Sequence, residues 1–443
     1  MNLLRMYPSN QTPWRPFLAA AVLTTLTAGA TWGAIILIDI AAHHDFTSAG
    51  LHWVNAHGHA QIFGWIGLFV MGVSAATLPD FWGVPLSRVG WLRPALALMV
   101  AGIALRVLGE ACLSGSAALW VGVAGGLSEV SALSLYLYVI LDTWRRTPSA
   151  AKTPADLYVL SALAWLGAQA IFDVLYYAGT VTAPNSDALV ARVATYQSPL
   201  RDWQIYGFGL LMVLGMSQRL LPALLPGFHA DAERARRWLA PLNLGVLASS
   251  VGFALAMGTR HFAWMGVSYL GKVTVAVAAV MLIRGWGLWR RPFHPLLRRY
   301  LATSYAWLLV ALGMGVLMPF YFVLIGHPFS HAYYGAGRHA ITVGFLSVTV
   351  LGMASVLVPR LCGFLQPLEA GMTAPYILIN LGCAIRVFGQ IATDFTPVAF
   401  PIAGVSGCLE VTALALWAWR LAPYLAPRLA IRRLKAAPQG LKG

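Results

Sequence analysis

The chain has 443 residues, of which 59% are hydrophobic and only 10% are charged. A soluble domain carries roughly 25% charged residues, so this composition excludes a soluble protein and indicates one that crosses a membrane several times. The net charge of +15 predicts basic cytoplasmic loops rather than a nucleic-acid-binding surface, because membrane proteins concentrate Lys and Arg in those loops. The four cysteines show no metal-binding spacing and predict no disulfide framework.

Twelve apolar stretches are long enough to cross a bilayer as helices, which takes about 20 residues each. They lie at roughly 17–41, 59–78, 92–113, 118–141, 157–179, 203–221, 238–258, 263–284, 302–326, 339–358, 374–393 and 397–419. All should be α-helical, because a bundle in lipid must satisfy its own backbone hydrogen bonds. The sequence therefore predicts an all-α integral membrane protein with one polytopic domain over residues 1–443.

Three of these spans share one pattern of glycine and proline. The stretches 59–79, 202–222 and 339–359 each have glycine at the sixth and fourteenth positions and proline at the last, and they are 143 and 137 residues apart. Fixed spacing of this kind indicates a duplicated structural unit. We therefore predict three repeats of four helices in a pseudo-threefold arrangement. These repeats cover approximately 17–156, 157–301 and 302–430.

Basic residues are distributed unevenly between the two sets of loops. The loops that follow even-numbered spans, together with the C-terminal tail, hold most of the Lys and Arg, whereas the opposite loops hold only Arg192, Arg201, Arg260 and Arg338. The positive-inside rule then predicts that both termini are cytoplasmic. With this orientation the second and tenth spans start at the outer face, which we take to be that of a bacterial inner membrane.

Two histidines occupy equivalent positions in the repeat. His59 and His339 are the first residues of the first and third copies, and Asp202 takes that place in the middle copy. Imidazole binds haem iron, copper and zinc. The matching positions, and surrounding glycines that leave room for a flat ring, favour metal ligation over the alternative of a polar residue at a helix end.

Two arginines are also equivalent, since Arg106 and Arg386 lie in the outer halves of the third and eleventh spans. A charge at that depth is expensive and usually functional. Either guanidinium could bind the propionates of a haem. The alternative is an internal ion pair with Glu110 or Asp173.

A third pair of ionisable residues lies near the middle of the membrane. Glu129 and Glu410 occupy equivalent positions in the fourth and twelfth spans, and the middle repeat has Lys272 there. Such groups either pair in the core or transfer protons. The sequence leaves both readings open.

The arrangement of spans and histidines resembles subunit I of the haem–copper oxidase superfamily. In that family the second and tenth helices supply the axial ligands of a low-spin haem, and the sixth and seventh supply copper ligands. This chain departs from the pattern in the latter two, which read DWQIYGF and PLNLGVLASSVGF and contain no histidine. The resemblance therefore extends to the fold and the haem-ligating helices, and not to the binuclear oxygen-reducing site.

Two stretches more closely resemble the NnrS family, which comprises haem- and copper-containing membrane proteins linked to nitric oxide metabolism. They are LHWVNAHGHAQIFGWIGLFVMGVSAATLPDFWG (51–83) and GAGRHAITVGFLSVTVLGMASVLVPR (335–360). The resemblance implies haem b, with copper or a second haem as further options. It also implies four candidate metal ligands, which are His57, His59, His331 and His339. Where the family tends to Glu and Met after the second histidine, this chain differs and has Gln61 two residues past His59.

The leading hypothesis is a protein that binds haem b near the outer face, with His59 and His339 as axial ligands, and that binds or reduces nitric oxide. The second is a reductase of a diatomic gas that takes electrons from quinol or cytochrome c and protons through Glu129 or Glu410. A transporter is a weaker third, because secondary transporters usually show inverted twofold repeats. Whether the protein is an enzyme is left open between these hypotheses.

Overall fold

The computed structural model describes residues 13–224, 228, 230–289, 295–364 and 366–426. The N-terminal tail and the basic C-terminal tail lie outside the described residues, as do the loop arginines Arg290 and Arg291. The orientation predicted from loop charge rests partly on these segments. It stays a prediction.

Twelve long helices make up the part of the chain that the structure describes, which contains no β-strand. They are α1 (Trp14–His43), α2 (Leu51–Trp82), α3 (Leu92–Ala111), α4 (Gly115–Arg146), α5 (Pro154–Val181), α6 (Ser186–Asp202, Trp203–Leu210 and Leu211–Leu224 in succession), α7 (Ala232–Thr259), α8 (Ala263–Ile283), α9 (Pro295–Ile325), α10 (His331–Leu361), α11 (Thr373–Ala392) and α12 (Ala399–Leu425). The all-α membrane fold predicted from the sequence is confirmed.

Eleven of the described helices are long and apolar enough to span a membrane, and α6 is not among them. Its polar side chains are satisfied inside the bundle. Gln204 donates to Gln169 at 3.0 Å, and Arg219 Nε donates to Asp156 at 2.8 Å. A polar group that is hydrogen-bonded can be buried at small cost, so α6 is compatible with the interior of the bundle.

Helices α2 and α10 lie at the centre of the bundle. In each, 89% of the most apolar window is buried within the protein, against at most 44% in the other nine candidate spans. Lipid is therefore largely excluded from these two helices. Side chains from α2 and α10 can meet within the protein interior.

The same two helices begin earlier than hydropathy predicts. Helix α2 starts at Leu51 and α10 at His331, so His59 and His339 lie eight residues inside them rather than at their first residues. Eight residues correspond to about 12 Å along a helix axis. The first two turns of each helix are less apolar than the segment that follows, and a hydropathy pattern registers only the strongly apolar part of a helix.

Each repeat has a π-helical turn at the equivalent place. These turns are Ala60–Gly67, Trp203–Leu210 and Ala340–Ser347, and their offsets of 143 and 137 residues match those of the sequence repeat. Such turns occur frequently at functional sites. The agreement supports duplication of a local unit, while the pseudo-threefold arrangement of the whole bundle stays a prediction.

Small residues allow α3 and α4 to pack closely. A Cβ atom on Gly125 would lie 2.6 Å from the backbone nitrogen of Arg106 and 2.8 Å from the carbonyl oxygen of Gly102. Close contact between backbones through small residues is the usual way in which membrane helices associate. The α3–α4 pair thereby carries Arg106 and Glu129 into the interior at a fixed separation.

We expect Gly125→Ala to destabilise the protein by about 1–3 kcal/mol, because the added methyl group forces α3 away from α4. Gly313→Ala in α9 is the matched control, since its Cβ would meet nothing within 4 Å. The stability of each variant is measured as the thermal midpoint of the detergent-purified protein, which is read from the loss of monodisperse elution. Equal midpoints for the two variants would show that α3–α4 contact does not limit stability.

Candidate metal-binding site

His59 lies in a buried ionic cluster between α2, α4 and α5. Its Nε2 atom is hydrogen-bonded to Glu129 Oε1 at 2.7 Å, and its Nδ1 atom lies 3.2 Å from Asp173 Oδ2 without hydrogen-bond alignment. The side chain is 1% exposed. Both ring nitrogens therefore face carboxylates, and neither points to an open position.

The same cluster continues to Arg106 and the outer surface. Arg106 is ion-paired with Glu110 and lies 3.4 Å from Asp173, and its guanidinium sits 3.7 Å above the ring of Tyr177. Glu110 in turn contacts Nδ1 of His52 at 2.8 Å, and the His52 side chain is 37% exposed. Arg106 thus makes the internal ion pairs that the sequence left as the alternative to propionate binding.

His57 turns away from this cluster and toward α1. Its Nδ1 atom donates to the carbonyl oxygen of Gly29 at 2.9 Å. Its ring packs on Gly33, where a Cβ would lie 2.4 Å from a ring carbon. A histidine that donates from Nδ1 to a carbonyl keeps the lone pair of Nε2 for a metal. His57 is therefore poised as a ligand.

His339 has the same arrangement on α10. Its Nδ1 atom donates to the carbonyl oxygen of Gly335 at 3.0 Å, and Nε2 has no hydrogen bond to any described residue. His57 is close enough to act electrostatically on His339. His57 and His339 thus each lack a hydrogen bond from Nε2 to any described residue, and both lie in the N-terminal parts of their helices, α2 and α10.

Arg386 is close enough for its charge to act on the rings of both histidines. It is 8% exposed, and its Nε and Nη1 atoms have no hydrogen-bond partner. Within the described part of the chain no carboxylate lies within 4 Å of it. A buried cation without a partner is costly, so the surroundings of Arg386 fit an added anionic group such as a haem propionate.

Glu410 is a half-buried carboxylate of this region. It interacts electrostatically with Arg386, but its Oε1 atom has no hydrogen-bond partner. In the first repeat the equivalent Glu129 is bonded directly to His59. The two glutamates therefore occupy equivalent positions with different partners.

His331 is not brought to this site. It is the first residue of α10, it is exposed, and its ring contacts Phe329 with centroids 4.8 Å apart. It lies eight residues, or about 12 Å along the axis, from His339. Among the described residues, no group of three or more His, Cys, Asp or Glu side chains is arranged to hold a metal ion.

The sequence did not single out the two glycines of α1 as parts of the site. Gly29 supplies a carbonyl to His57, and Gly33 supplies the space for its ring. The π-helical turn Thr25–Gly29 alters the backbone hydrogen bonding at this point. Their spacing of four residues places both on one face of a helix, and that pattern was the available signal.

A family model described as "NnrS protein" matches residues 8–428 of the chain. The chain belongs to the NnrS family. The resemblance inferred from the two histidine-containing stretches is therefore confirmed over nearly the whole length.

The fold of this NnrS chain is similar to a solved structure titled "Cryo-EM structure of a heme-copper terminal oxidase dimer provides insights into its catalytic mechanism". The TM-score is 0.61 with 13% identity, and the match covers 95% of this chain and 89% of the other. At that identity the similarity shows the fold alone, and it confirms the predicted likeness to oxidase subunit I. A search of curated proteins found no significant match.

Truncation of the two equivalent arginines should affect the stability of the metal-free protein differently. Arg106→Ala leaves Glu110 and Asp173 buried without their cation, and breaking such a pair costs about 3–5 kcal/mol. Arg386→Ala removes a cation that makes no ion pair within 4 Å with any described residue and interacts with Glu410 only at longer range, so we expect little change in stability. Thermal midpoints of the two metal-free variants against the parent protein measure the difference. Similar losses in both variants would contradict the partner assignments.

Proposed function

We propose that this NnrS protein holds haem b between α2 and α10 near the outer face of a bacterial inner membrane, and that it binds or reduces nitric oxide there. The observation that carries this is the pair His57 and His339, each with Nδ1 bonded to a backbone carbonyl and Nε2 free. The unpaired Arg386 beside them supports a ligand that bears carboxylates.

Of the two candidate axial ligands on α2, we favour His57 over His59. The Nε2 atom of His59 is bonded to Glu129, so ligation by His59 would require that bond to break inside the bundle. His57 needs no such change, because its only hydrogen bond uses Nδ1. His339 is the partner ligand in either assignment.

Bound haem would supply an iron that accepts and releases one electron. The protein would orient the two imidazoles through the carbonyl groups of Gly29 and Gly335, and Arg386 would neutralise a propionate. Because α2 and α10 are the most buried spans, the surrounding helices would exclude bulk water from the ring. Copper remains a further option, although two imidazoles are fewer ligands than a typical copper site provides.

A second candidate function is reduction of a diatomic gas with electrons from quinol or cytochrome c. The observation that favours it is the line of ionisable side chains from partly exposed His52 through Glu110, Arg106 and Asp173 to His59 and Glu129. The histidines and carboxylates of this line can carry protons into a membrane interior, whereas Arg106 stays charged and holds the carboxylates in place. Turnover of gas by the purified protein would distinguish this function from binding alone.

The ligand assignment is tested by reduced-minus-oxidised absorbance spectra of protein from haem-supplied cells. We expect His57→Ala and His339→Ala to lose the b-type bands, because each removes an axial nitrogen. His59→Gln, which keeps a hydrogen-bonding side chain next to Glu129, should retain them. His327→Ala is the control, since that residue is exposed.

Loss of the bands in His59→Gln, with retention in His57→Ala, would assign the ligand role to His59 instead. Bands that persist in all three variants at full intensity would rule out haem at this site. If the wild-type protein shows no bands, we would infer that the site binds a non-haem metal. Elemental analysis of the same sample would detect that metal.

The role of the two glutamates is tested by nitric oxide consumption with a quinol donor. If they transfer protons, Glu129→Gln and Glu410→Gln should slow turnover at least tenfold while the haem spectrum stays unchanged. Glu369→Gln, in the loop between α10 and α11, is the control. Rates equal to that of the control would leave the two glutamates a structural role only.

A further inference from the structure

The second repeat contains a cavity where the first repeat has its ionic cluster. By the offset of 143 residues, Asp202 corresponds to His59, Ser249 to Arg106 and Lys272 to Glu129. The cavity has a volume of about 60 Å³ and lies between α6, α8, α9 and α10, with Asp202 and Lys272 in its wall. A smaller cavity of about 20 Å³ shares those two residues and reaches Ser249 on α7.

The cavity is open because α9 lacks a side chain that α5 has. Trp165 on α5 donates to Asn243 at 2.9 Å, and Trp307 on α9 donates to Asn380 at 3.0 Å. These matching contacts make Trp165 and Trp307 equivalent positions in the two helices. Eight residues further on, α5 has Asp173 and α9 has Gly315. Asp173 fills the first cluster, whereas a Cβ on Gly315 would meet nothing within 4 Å.

The wall of the cavity carries an excess of positive charge. Arg201, Lys272 and Arg338 line it, and Asp202 is its one carboxylate. Asp202 accepts a hydrogen bond from Ser249 at 2.6 Å. None of the three cations has a carboxylate within 4 Å among the described residues.

The present partners of these cations are neutral. Arg201, which is 9% exposed, donates to Gln204 at 2.6 Å and to Asn55 at 3.3 Å. Arg338 donates to the hydroxyl of Tyr334, and Lys272 makes no hydrogen bond to any described residue. The charges of Arg201 and Arg338 also act against each other. Like charges in a weakly screened interior are unfavourable, so an anion between them would be stabilised.

We propose that this cavity binds a phosphate-type oxyanion, either free or as the headgroup of an anionic lipid. A volume of about 60 Å³ holds roughly four waters, which is close to the four oxygens of a phosphate. Two guanidinium groups and one ammonium group match that chemistry, because Arg binds oxyanions through paired donors and Lys through a point charge.

Binding is measured as the rise in thermal midpoint of the full-length detergent-purified protein, since a ligand that binds only the folded state stabilises it by RT ln(1 + L/Kd), where L is the free ligand concentration. One series contains inorganic phosphate against chloride at equal ionic strength. The other contains phosphatidylglycerol against phosphatidylcholine in mixed micelles. Stabilisation by phosphate identifies a free oxyanion, and stabilisation by phosphatidylglycerol alone identifies a lipid headgroup.

Two variants connect binding to the cavity. Gly315→Leu fills it without altering charge, and Lys272→Met removes one cation at similar length. We expect each to raise the apparent Kd at least tenfold. Gly313→Leu is the control for Gly315→Leu, because its Cβ also meets nothing within 4 Å and it does not line the cavity. Arg260→Asn, in an outer loop with φ of 58°, is the control for loss of charge.

Stabilisation that is equal in wild type, Gly315→Leu and Lys272→Met would overturn the assignment, because the ligand would then bind elsewhere. Absence of stabilisation by both probes would overturn it as well. If Lys272→Met does not fold, Gly315→Leu decides the outcome by itself, since it leaves every charge in place.

Discussion

The structure depends on the need to compensate charge inside a bundle that lipid surrounds. An isolated charge in such an interior is expensive, and removal of one member of a buried pair costs more than the pair contributes. The cluster of His59, Arg106, Glu129 and Asp173 meets this requirement with side chains from four helices. It thereby fixes how α2, α3, α4 and α5 pack, and it holds the N-terminal part of α2 in a defined rotation.

That rotation determines what the other face of α2 can do. With His59 held by carboxylates, His57 points toward α1 and the backbone carbonyl of Gly29. The proposed haem ligand is therefore positioned by an ionic cluster in which it takes no part. Glycine at position 33 completes the arrangement, because any side chain there would occupy the space of the imidazole.

The three equivalent locations of the repeat have diverged in charge. The first is filled and neutralised by Asp173, the second is open and cationic around Lys272, and in the third Arg386 makes no ion pair within 4 Å among the described residues. A few side chains on a common helical framework account for these differences.

Hydropathy and spacing were enough to predict the twelve helices, the repeat offsets and the equivalent pairs of His, Arg and Glu, because both are properties of the linear chain. Two local motifs were enough to identify the family. The partners of Arg106 and the directions of His57 and His59 could not be predicted in this way, because they depend on how the helices pack. Two residues apart on a helix, those rings point about 200° from one another. Which one keeps a free nitrogen depends on whether the neighbouring helix offers it a carbonyl or a carboxylate, and residues distant in sequence supply those groups.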